Sequence, residues 1–265
     1  MVSARSFLIR GLLAGLFAGL VTFGVAYVVG EPSVNAAIAL EESTGGGPSH
    51  AEGTAAHEDT EPAEAEVPRS LQSTAGLLTA TVVAGVTIGG LLGVLSALAL
   101  GRFGGLGPRA TTLLVSGVGF LASTVLPFLA YPPSTPAVGQ AETIGLRTGL
   151  YFSLLATSVI LAVTAVVVGR ILARRWGAWY AGLATVGGYL LACVIVVTLL
   201  PSYDEVPADF PATVLYDFRL ASFATQLTLW AVLGLTLAEL VHRLVRRSKG
   251  LDQARTTYAD AAATR

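Results

Sequence analysis

Six apolar stretches, each long enough to cross a lipid bilayer as a helix, constrain this chain more than any other feature. They lie at about 7–29, 71–100, 110–131, 146–168, 176–200 and 220–241. A helix needs roughly 20 apolar residues to span the hydrocarbon core of a membrane. Only 12% of the residues are charged, whereas about 25% is usual in soluble domains. The sequence therefore predicts an all-α membrane protein in which residues 1–265 form one polytopic domain of six transmembrane helices.

The distribution of charge predicts the orientation of these helices. Most of the 16 Lys and Arg residues fall on the side that holds both ends of the chain, and most of the 17 Asp and Glu residues fall on the other side. Basic residues are enriched in cytoplasmic loops, so we expect an N-in, C-in topology. The first apolar stretch is longer than the core of a typical signal peptide, which favours an uncleaved helix over a cleaved leader.

Two segments are too polar or too biased in composition to contribute to a packed core. Residues 43–66 are rich in Gly, Ala, Pro, Glu and His, and we expect them to form a disordered outer loop. Residues 250–265 are expected to form a disordered cytoplasmic tail.

The three outer loops share a pattern of proline and arginine. A proline stands at the start of each loop and an arginine opens the helix that follows: Pro32 and Arg69, Pro132-Pro133 and Arg147, Pro201 and Arg219. Proline cannot continue a helix, so we expect it to end the preceding helix at the membrane surface. The pattern suggests three pseudo-repeated helical hairpins of one orientation, although the weak match after each arginine leaves coincidence open. The arginines are predicted to pair with Glu66, Glu142 and Asp217.

Glycine recurs at every fourth position in the first two helices. The two sets are Gly11, Gly15 and Gly19, and Gly85, Gly89 and Gly93. Small residues at this spacing let two helix backbones approach closely in lipid. We expect the two ridges to be packing surfaces, the alternative being the high glycine content of membrane helices in general.

The interiors of the apolar stretches contain no acid, lysine or histidine, since Glu239 and His242 lie at the inner end of the last one. A proton relay or a charged cage within the membrane is therefore not expected. A cation crossing the bundle would meet backbone carbonyls or neutral polar side chains, although Ser and Thr most often bond only their own helix. Those side chains are Thr22, Thr81, Thr87, Ser116, Ser123, Thr124, Ser153, Thr157, Ser158, Thr185, Tyr189, Thr198, Ser222, Thr225 and Gln226.

Catalytic sequence motifs are missing from the chain. It contains no phosphate-binding loop, no nucleophile elbow and no H-E-x-x-H zinc motif. We therefore expect no enzymatic activity and no bound cofactor. The single cysteine, Cys193, cannot form a disulfide within the chain.

The outer loops contain the residue types that bind divalent metals. His50 and His57 lie among carboxylates in the first loop, and imidazole with carboxylate suits first-row divalent ions. This segment could gather cations at the mouth of a pathway, or it could be a solvated acidic loop that happens to contain two histidines.

The loop sequences "GEPSVNAAIALEE" (30–42), "YPPSTPAVGQAETIGLRTGLY" (131–151) and "DEVPADFPATVLYDFRLASFATQLTLW" (204–230) resemble those of the CbtA family of predicted cobalt transporter subunits, over essentially the whole chain. The resemblance implies a multi-pass protein of the bacterial cytoplasmic membrane that takes part in cobalt uptake linked to cobalamin synthesis. It also implies a small partner, CbtB, with one membrane segment and a histidine-rich end. The family's PPNPP motif reads Pro132-Pro133-Ser134-Thr135-Pro136 here, so one possible amide ligand is lost.

The candidate metal-binding residues combine the family motifs with the histidine loop. They are Glu31, Glu41, Glu42, His50, His57, Glu142 and Glu205. We expect the carboxylates to form an outer vestibule that concentrates a divalent cation. A non-transporting membrane scaffold, whose glycine ridges bind the partner subunit, is the alternative. The residues do not distinguish cobalt from nickel, zinc or manganese, and nothing in the sequence points to nucleic acid.

Overall fold

The computed structural model describes residues 3–43, 68–103, 105–135, 138–139, 141–201 and 205–263. Helix accounts for 89% of these residues, and none of them is in a strand. Five helices in this part of the chain are long and apolar enough to cross a membrane. They are α1 (Ala4–Ser43), α2 (Arg69–Ala99), α3 (Pro108–Ala130), α4 (Ile144–Leu199) and α5 (Ala212–Ala263). The all-helical membrane architecture expected from the sequence is thus confirmed.

The glycine ridges of α1 and α2 pack directly against each other, as their spacing predicts. Gly11 faces Gly89 and Gly15 faces Gly85 so closely that a Cβ on any of these four glycines would overlap a carbonyl oxygen of the opposite helix. The two backbones therefore touch along a dry seam. Lipid provides no hydrophobic drive between helices, so this close dispersion contact is a main source of their affinity.

Helix α5 provides the large side chains at the centre of the bundle. Leu233, Leu237 and Val241 have no solvent exposure, and they pack in one cluster with Phe7 of α1 and Leu92 of α2. Helix α3 packs against both α5 and α2, and its Gly119 lies against Trp230 of the same cluster. The small residues of α1 and α2 thus form the tight seam, and the large residues of α5 fill the space beside it.

Helix α4 consists of two arms that fold back on each other. Its backbone leaves the helical conformation at Gly177, where φ is 78° and ψ is 163°. A residue other than glycine would be strained at this φ. Beyond it, Tyr189 and Cys193 of the second arm pack in one cluster with Leu154 of the first. The sequence predicts a separate helix for each arm, and the structure places the break between them.

Pro32 does not end the first helix, contrary to the sequence-based expectation. Helix α1 is α-helical over Ala4–Val25, passes through a π-helical segment at Ala26–Gly30 and continues as α-helix over Glu31–Ser43. The wider π turn changes the hydrogen-bond register just before the proline, so a residue without an N–H is accommodated there. The prolines after α3 and α4 do follow helix ends, at Ala130 and Leu199.

The last helix also extends further than expected. Helix α5 continues to Ala263, although the sequence analysis expects a disordered tail from residue 250. Alanine, with the highest helix propensity, occupies several positions of this segment and favours its continuation. The outer loop expected at 43–66 lies, beyond Ser43, outside the described residues.

We predict that Gly15→Ala destabilises the protein, because the added methyl group would overlap the Gly85 carbonyl and force α1 and α2 apart. The expected loss is roughly 1–3 kcal/mol of unfolding free energy, which thermal unfolding of the detergent-solubilised protein would reveal as a lower midpoint. Gly24→Ala in the same helix is the matched control, since a Cβ there meets nothing within 4 Å. Equal unfolding midpoints for the two variants would contradict the direct contact between the glycine ridges of α1 and α2.

Candidate functional site

A cavity of about 740 Å³ lies at the end of the bundle that is predicted to face outward. Its walls come from the C-terminal half of α1, Leu77 of α2, the end of α3, the loop that follows α3, the start of α4 and the first turns of α5. At about 30 Å³ per water molecule, such a volume has room for roughly two dozen waters. The volume is therefore sufficient for a cation together with several water molecules.

Neutral polar side chains and aromatic rings make up most of the cavity wall. Ser123 and Thr124 of α3 lie there together with Ser222, Thr225 and Gln226 of α5. All five are among the neutral groups that the sequence offers to a crossing cation, and the fold gathers them in one place. The aromatic part of the wall consists of Phe128, Tyr131, Tyr151, Phe152 and Phe218.

Two of the helices around the cavity carry the same irregularity. A π-helical segment, Ala26–Gly30 in α1 and Leu121–Val125 in α3, ends two residues before a proline, Pro32 and Pro127 respectively. Residues of both segments line the cavity. π-helical segments are frequent at functional sites. Their occurrence next to a proline on two walls of one cavity therefore makes the cavity a candidate functional site.

The proline in α3 frees a backbone carbonyl that a second helix then uses. The N–H of Leu126 bonds the carbonyl of Leu121, five residues earlier. Pro127 has no N–H to bond Ala122 in the same register. The buried hydroxyl of Ser158 in α4 donates to that oxygen at 2.7 Å instead. This bond ties the first arm of α4 to the cavity wall.

Glu31 is the one carboxylate among the described residues that line the cavity. Its side chain is 13% exposed and forms an ion pair with Arg69, at the start of α2. Arg69 also donates to the amide oxygen of Asn35 at 3.1 Å, one turn further out on α1. The guanidinium of Arg69 thus spans two acceptors on the same face of α1.

The other two arginines each tie a loop to the start of a helix, and Tyr131 ties the two loops to each other. Arg147 lines the cavity and pairs with Glu205, with 3.5 Å between Nε and Oε2. Arg219 donates to the carbonyl of Pro133 at 3.3 Å. The hydroxyl of Tyr131 donates to the carbonyl of Pro201 at 2.8 Å. Burial raises the pKa of the Tyr131 hydroxyl, which favours the protonated form that this bond requires.

These partners differ from the ones expected from the sequence. The neighbouring acids Glu66, Glu142 and Asp217 were predicted to pair with the three arginines, of which Glu66 lies outside the described residues. Arg147 pairs with Glu205, 58 positions away in the sequence, instead of Glu142. Arg69 pairs with Glu31, 38 positions away, and its expected pairing with Glu66 stays a prediction. Proximity in sequence was a poor guide because each loop folds against a different helix end.

The predicted metal-binding residues are spread over several positions. Glu31 lines the cavity and Glu205 lies behind it, each in an ion pair with an arginine. Glu41 and Glu42 lie at the outer end of α1, and Glu142 is exposed in a short 3-10 turn before α4. His50 and His57 fall outside the described residues. Within the described part of the chain, no three His, Cys, Asp or Glu side chains are grouped closely enough to hold a metal.

Both charges on the described cavity wall are thus balanced by a partner. Arg69 neutralises Glu31, and Glu205 neutralises Arg147, so the wall neither repels nor strongly holds a cation. Such a surface suits a pathway, in which an ion must bind well enough to enter and weakly enough to leave.

We predict that Arg147 and Glu205 are energetically coupled. Their side chains are 22% and 11% exposed, so solvent screens the pair only in part. A double-mutant cycle of Arg147→Gln and Glu205→Gln should give a coupling free energy of roughly 1 kcal/mol in thermal unfolding. The exposed pair Arg243–Glu239, four residues apart on α5, is the control and should show a smaller coupling. Equal coupling in the two pairs would contradict a structural role for the contact between the start of α4 and the loop that follows α4.

A family model described as "Probable cobalt transporter subunit (CbtA)" matches residues 4–242 of the chain. The match covers all of α1 to α4 and most of α5, together with every described residue of the cavity wall. No curated protein and no solved structure matches the chain.

Proposed function

The chain belongs to the CbtA family of probable cobalt transporter subunits, and we propose that it is the membrane component of a cobalt uptake system that supplies cobalamin synthesis. The proposal places it in the bacterial cytoplasmic membrane beside a small, histidine-rich CbtB-like subunit. The family is one of transporter subunits rather than enzymes. Cobalt is the substrate in this proposal and not a resident cofactor.

The cavity is the observation that carries the proposal. It collects the neutral polar side chains of α3 and α5 with one carboxylate, Glu31, at the predicted outer end of the bundle. Hydroxyl, amide and carboxylate oxygens are acceptable but weak ligands for a first-row divalent ion. In our proposal the cavity is the outer entrance, where the ion exchanges part of its water shell for these groups.

Three carboxylates outside the cavity, the half-buried Glu41 and the exposed Glu42 and Glu142, are proposed to concentrate the cation. Glu41, Glu42 and Glu142 lie on the same side of the bundle as the cavity mouth, and the chain continues from α1 into the acidic segment that contains His50 and His57. A surface of one sign attracts counter-ions and raises their local concentration. Glu205, paired with Arg147, is proposed to contribute to the stability of the entrance.

The membrane topology is proposed to have six crossings, with both ends of the chain in the cytoplasm. The two arms of α4 support this proposal, because the arm before Gly177 packs against the arm after it at two levels. Leu154 clusters with Cys193 near one end of the arms, and Gly169 lies against Thr185 nearer the break. With one crossing per arm, Arg170, Arg174 and Arg175 fall on the cytoplasmic side, as the positive-inside rule requires.

The scaffold alternative loses its proposed contact surface. It assigned the glycine ridges of α1 and α2 to a partner subunit, but those ridges are occupied by each other. A partner would have to bind elsewhere on the bundle. The cavity, which a pure scaffold does not need, favours the transport function.

We predict that this chain, expressed with its CbtB-like companion subunit, restores cobalt accumulation in a host that lacks its own cobalt importers and grows in nanomolar cobalt. Replacing both Glu41 and Glu42 by Gln should raise the half-saturating cobalt concentration by about tenfold, because the local cation concentration falls. Within the cavity, Thr225→Val should lower uptake. Thr228→Val is its matched control, since both hydroxyls bond their own helix but Thr228 is not on the cavity wall.

Three outcomes of this experiment would argue against parts of the proposal. No uptake with or without the companion would remove the transport function. An unchanged half-saturating cobalt concentration in the Glu41/Glu42 variant would show that these carboxylates do not concentrate the cation. Equal uptake by the two threonine variants would remove the cavity as the route.

The topology makes a separate prediction for single-cysteine variants. In a Cys193→Ala background, a cysteine at Ala178 should react with a membrane-impermeant maleimide only after the cells are opened. A cysteine at Asp209 should react in intact cells, since α4 would cross the membrane twice between the predicted outer loops. Both positions are exposed, so access within the fold does not limit the reaction. Labelling of both in intact cells would contradict the six crossings.

A further inference from the structure

Arg69 is held at the cavity by two acceptors of different kinds. Its guanidinium forms an ion pair with the carboxylate of Glu31 and a neutral hydrogen bond, at 3.1 Å, with the amide oxygen of Asn35. Glu31 faces the cavity and is nearly buried, whereas the Arg69 side chain is 38% exposed and is not part of the cavity wall. The carboxylate can therefore be reached from the cavity on one side while the arginine holds it from the other.

A carboxylate in this position is costly to leave without a positive partner. Removing the arginine would leave the nearly buried carboxylate of Glu31 with an uncompensated charge. In the structure the positive charge comes from the chain itself, as a guanidinium on a long side chain. A divalent cation that arrives through the cavity brings the same kind of compensation from the opposite side.

Building on the proposed function, we infer that Arg69 acts as a tethered competitor of the transported cation for Glu31. When the ion enters, the carboxylate of Glu31 exchanges the guanidinium for the ion. Arg69 keeps its bond to Asn35 and its contact with solvent, so it is not left stranded. When the ion leaves, Arg69 returns and restores the neutral wall.

This arrangement determines the affinity of the site. The apparent dissociation constant of a ligand rises as the fraction of binding-competent protein falls. If Arg69 occupies Glu31 for most of the time, it weakens cation binding by that fraction, and the ion can be released again. The second acceptor, Asn35, then lets the exchange take place without a large movement of the backbone.

The inference makes a prediction opposite to that of a purely structural ion pair. Arg69→Gln should tighten binding of cobalt ion, supplied as the chloride salt, to the purified full chain in nanodiscs by about tenfold, because the competitor is gone. Arg69→Lys should give a smaller change in the same direction, since a lysine keeps a positive charge near Glu31 but on a shorter side chain with a different donor geometry. Glu31→Gln should lose the binding, and the double variant Glu31→Gln with Arg69→Gln should also fail to bind.

Arg109→Gln is the matched control. Arg109 pairs with Glu239 at the opposite end of α3, far from the cavity, and its loss should leave cobalt binding unchanged. Thermal unfolding of each variant separates misfolding from altered affinity. If Arg69→Gln unfolds too readily to be measured, the Arg69→Lys variant decides the question.

The outcomes distinguish this inference from the proposed function. Cobalt binding that is no tighter in a folded Arg69→Gln or Arg69→Lys variant than in the unmodified chain would overturn the inference, whatever cellular uptake shows. Tighter binding in these variants, in a chain that nevertheless supports no cellular uptake, would support the competition at Glu31 and reject the transport function. Tighter binding in Arg109→Gln as well would show a general charge effect and also overturn the inference.

Discussion

The contact between the glycine ridges of α1 and α2 sets the register on which the outer site depends. Gly11 faces Gly89, Gly15 faces Gly85 and Gly19 faces Thr81. A step of four residues toward the C-terminus of α1 therefore corresponds to a step of four residues toward the N-terminus of α2. Continued along the hairpin, the same count places Glu31 opposite Arg69, and these two residues do form an ion pair. A packing rule for small residues in lipid therefore positions a pair of charges well beyond the last glycine.

The π-helical segments preserve this register although each adds a residue to its helix. One lies at Ala26–Gly30 in α1 and the other at Gln72–Gly76 in α2. Counted along the antiparallel hairpin, they stand at nearly the same level, so the extra residue on one side is matched by one on the other. A single insertion would have moved Glu31 out of line with Arg69. With both insertions present, Glu31 remains opposite Arg69 and lines the cavity.

The seam could be read from the sequence, whereas the irregular features could not. Glycine at every fourth position has one strong physical consequence, a flat helix face, and the ridges pack as predicted. Pro32 has two possible consequences, ending a helix or following a wider turn, and the sequence offered no way to choose between them. The partners of the arginines were missed because they depend on which loop lies against which helix end. Asn35 lay inside a recognised motif, but its role becomes visible only beside Arg69.

The lack of ionisable groups within the membrane limits how transport could be driven. No acid, lysine or histidine lies in the interior of the apolar stretches, so this chain provides no residue through which a proton could be coupled to the ion at the membrane centre. A divalent cation that moves inward does not need one. The membrane potential contributes about 2.3 kcal/mol per elementary charge at 100 mV, hence about 4.6 kcal/mol for two charges. Each 1.4 kcal/mol corresponds to a factor of ten, so this could sustain an accumulation of roughly a thousandfold or more. What uptake then requires of the protein is an entrance that selects the ion without retaining it. In our proposal, the carboxylate of Glu31, shared between the ion and Arg69, meets that requirement.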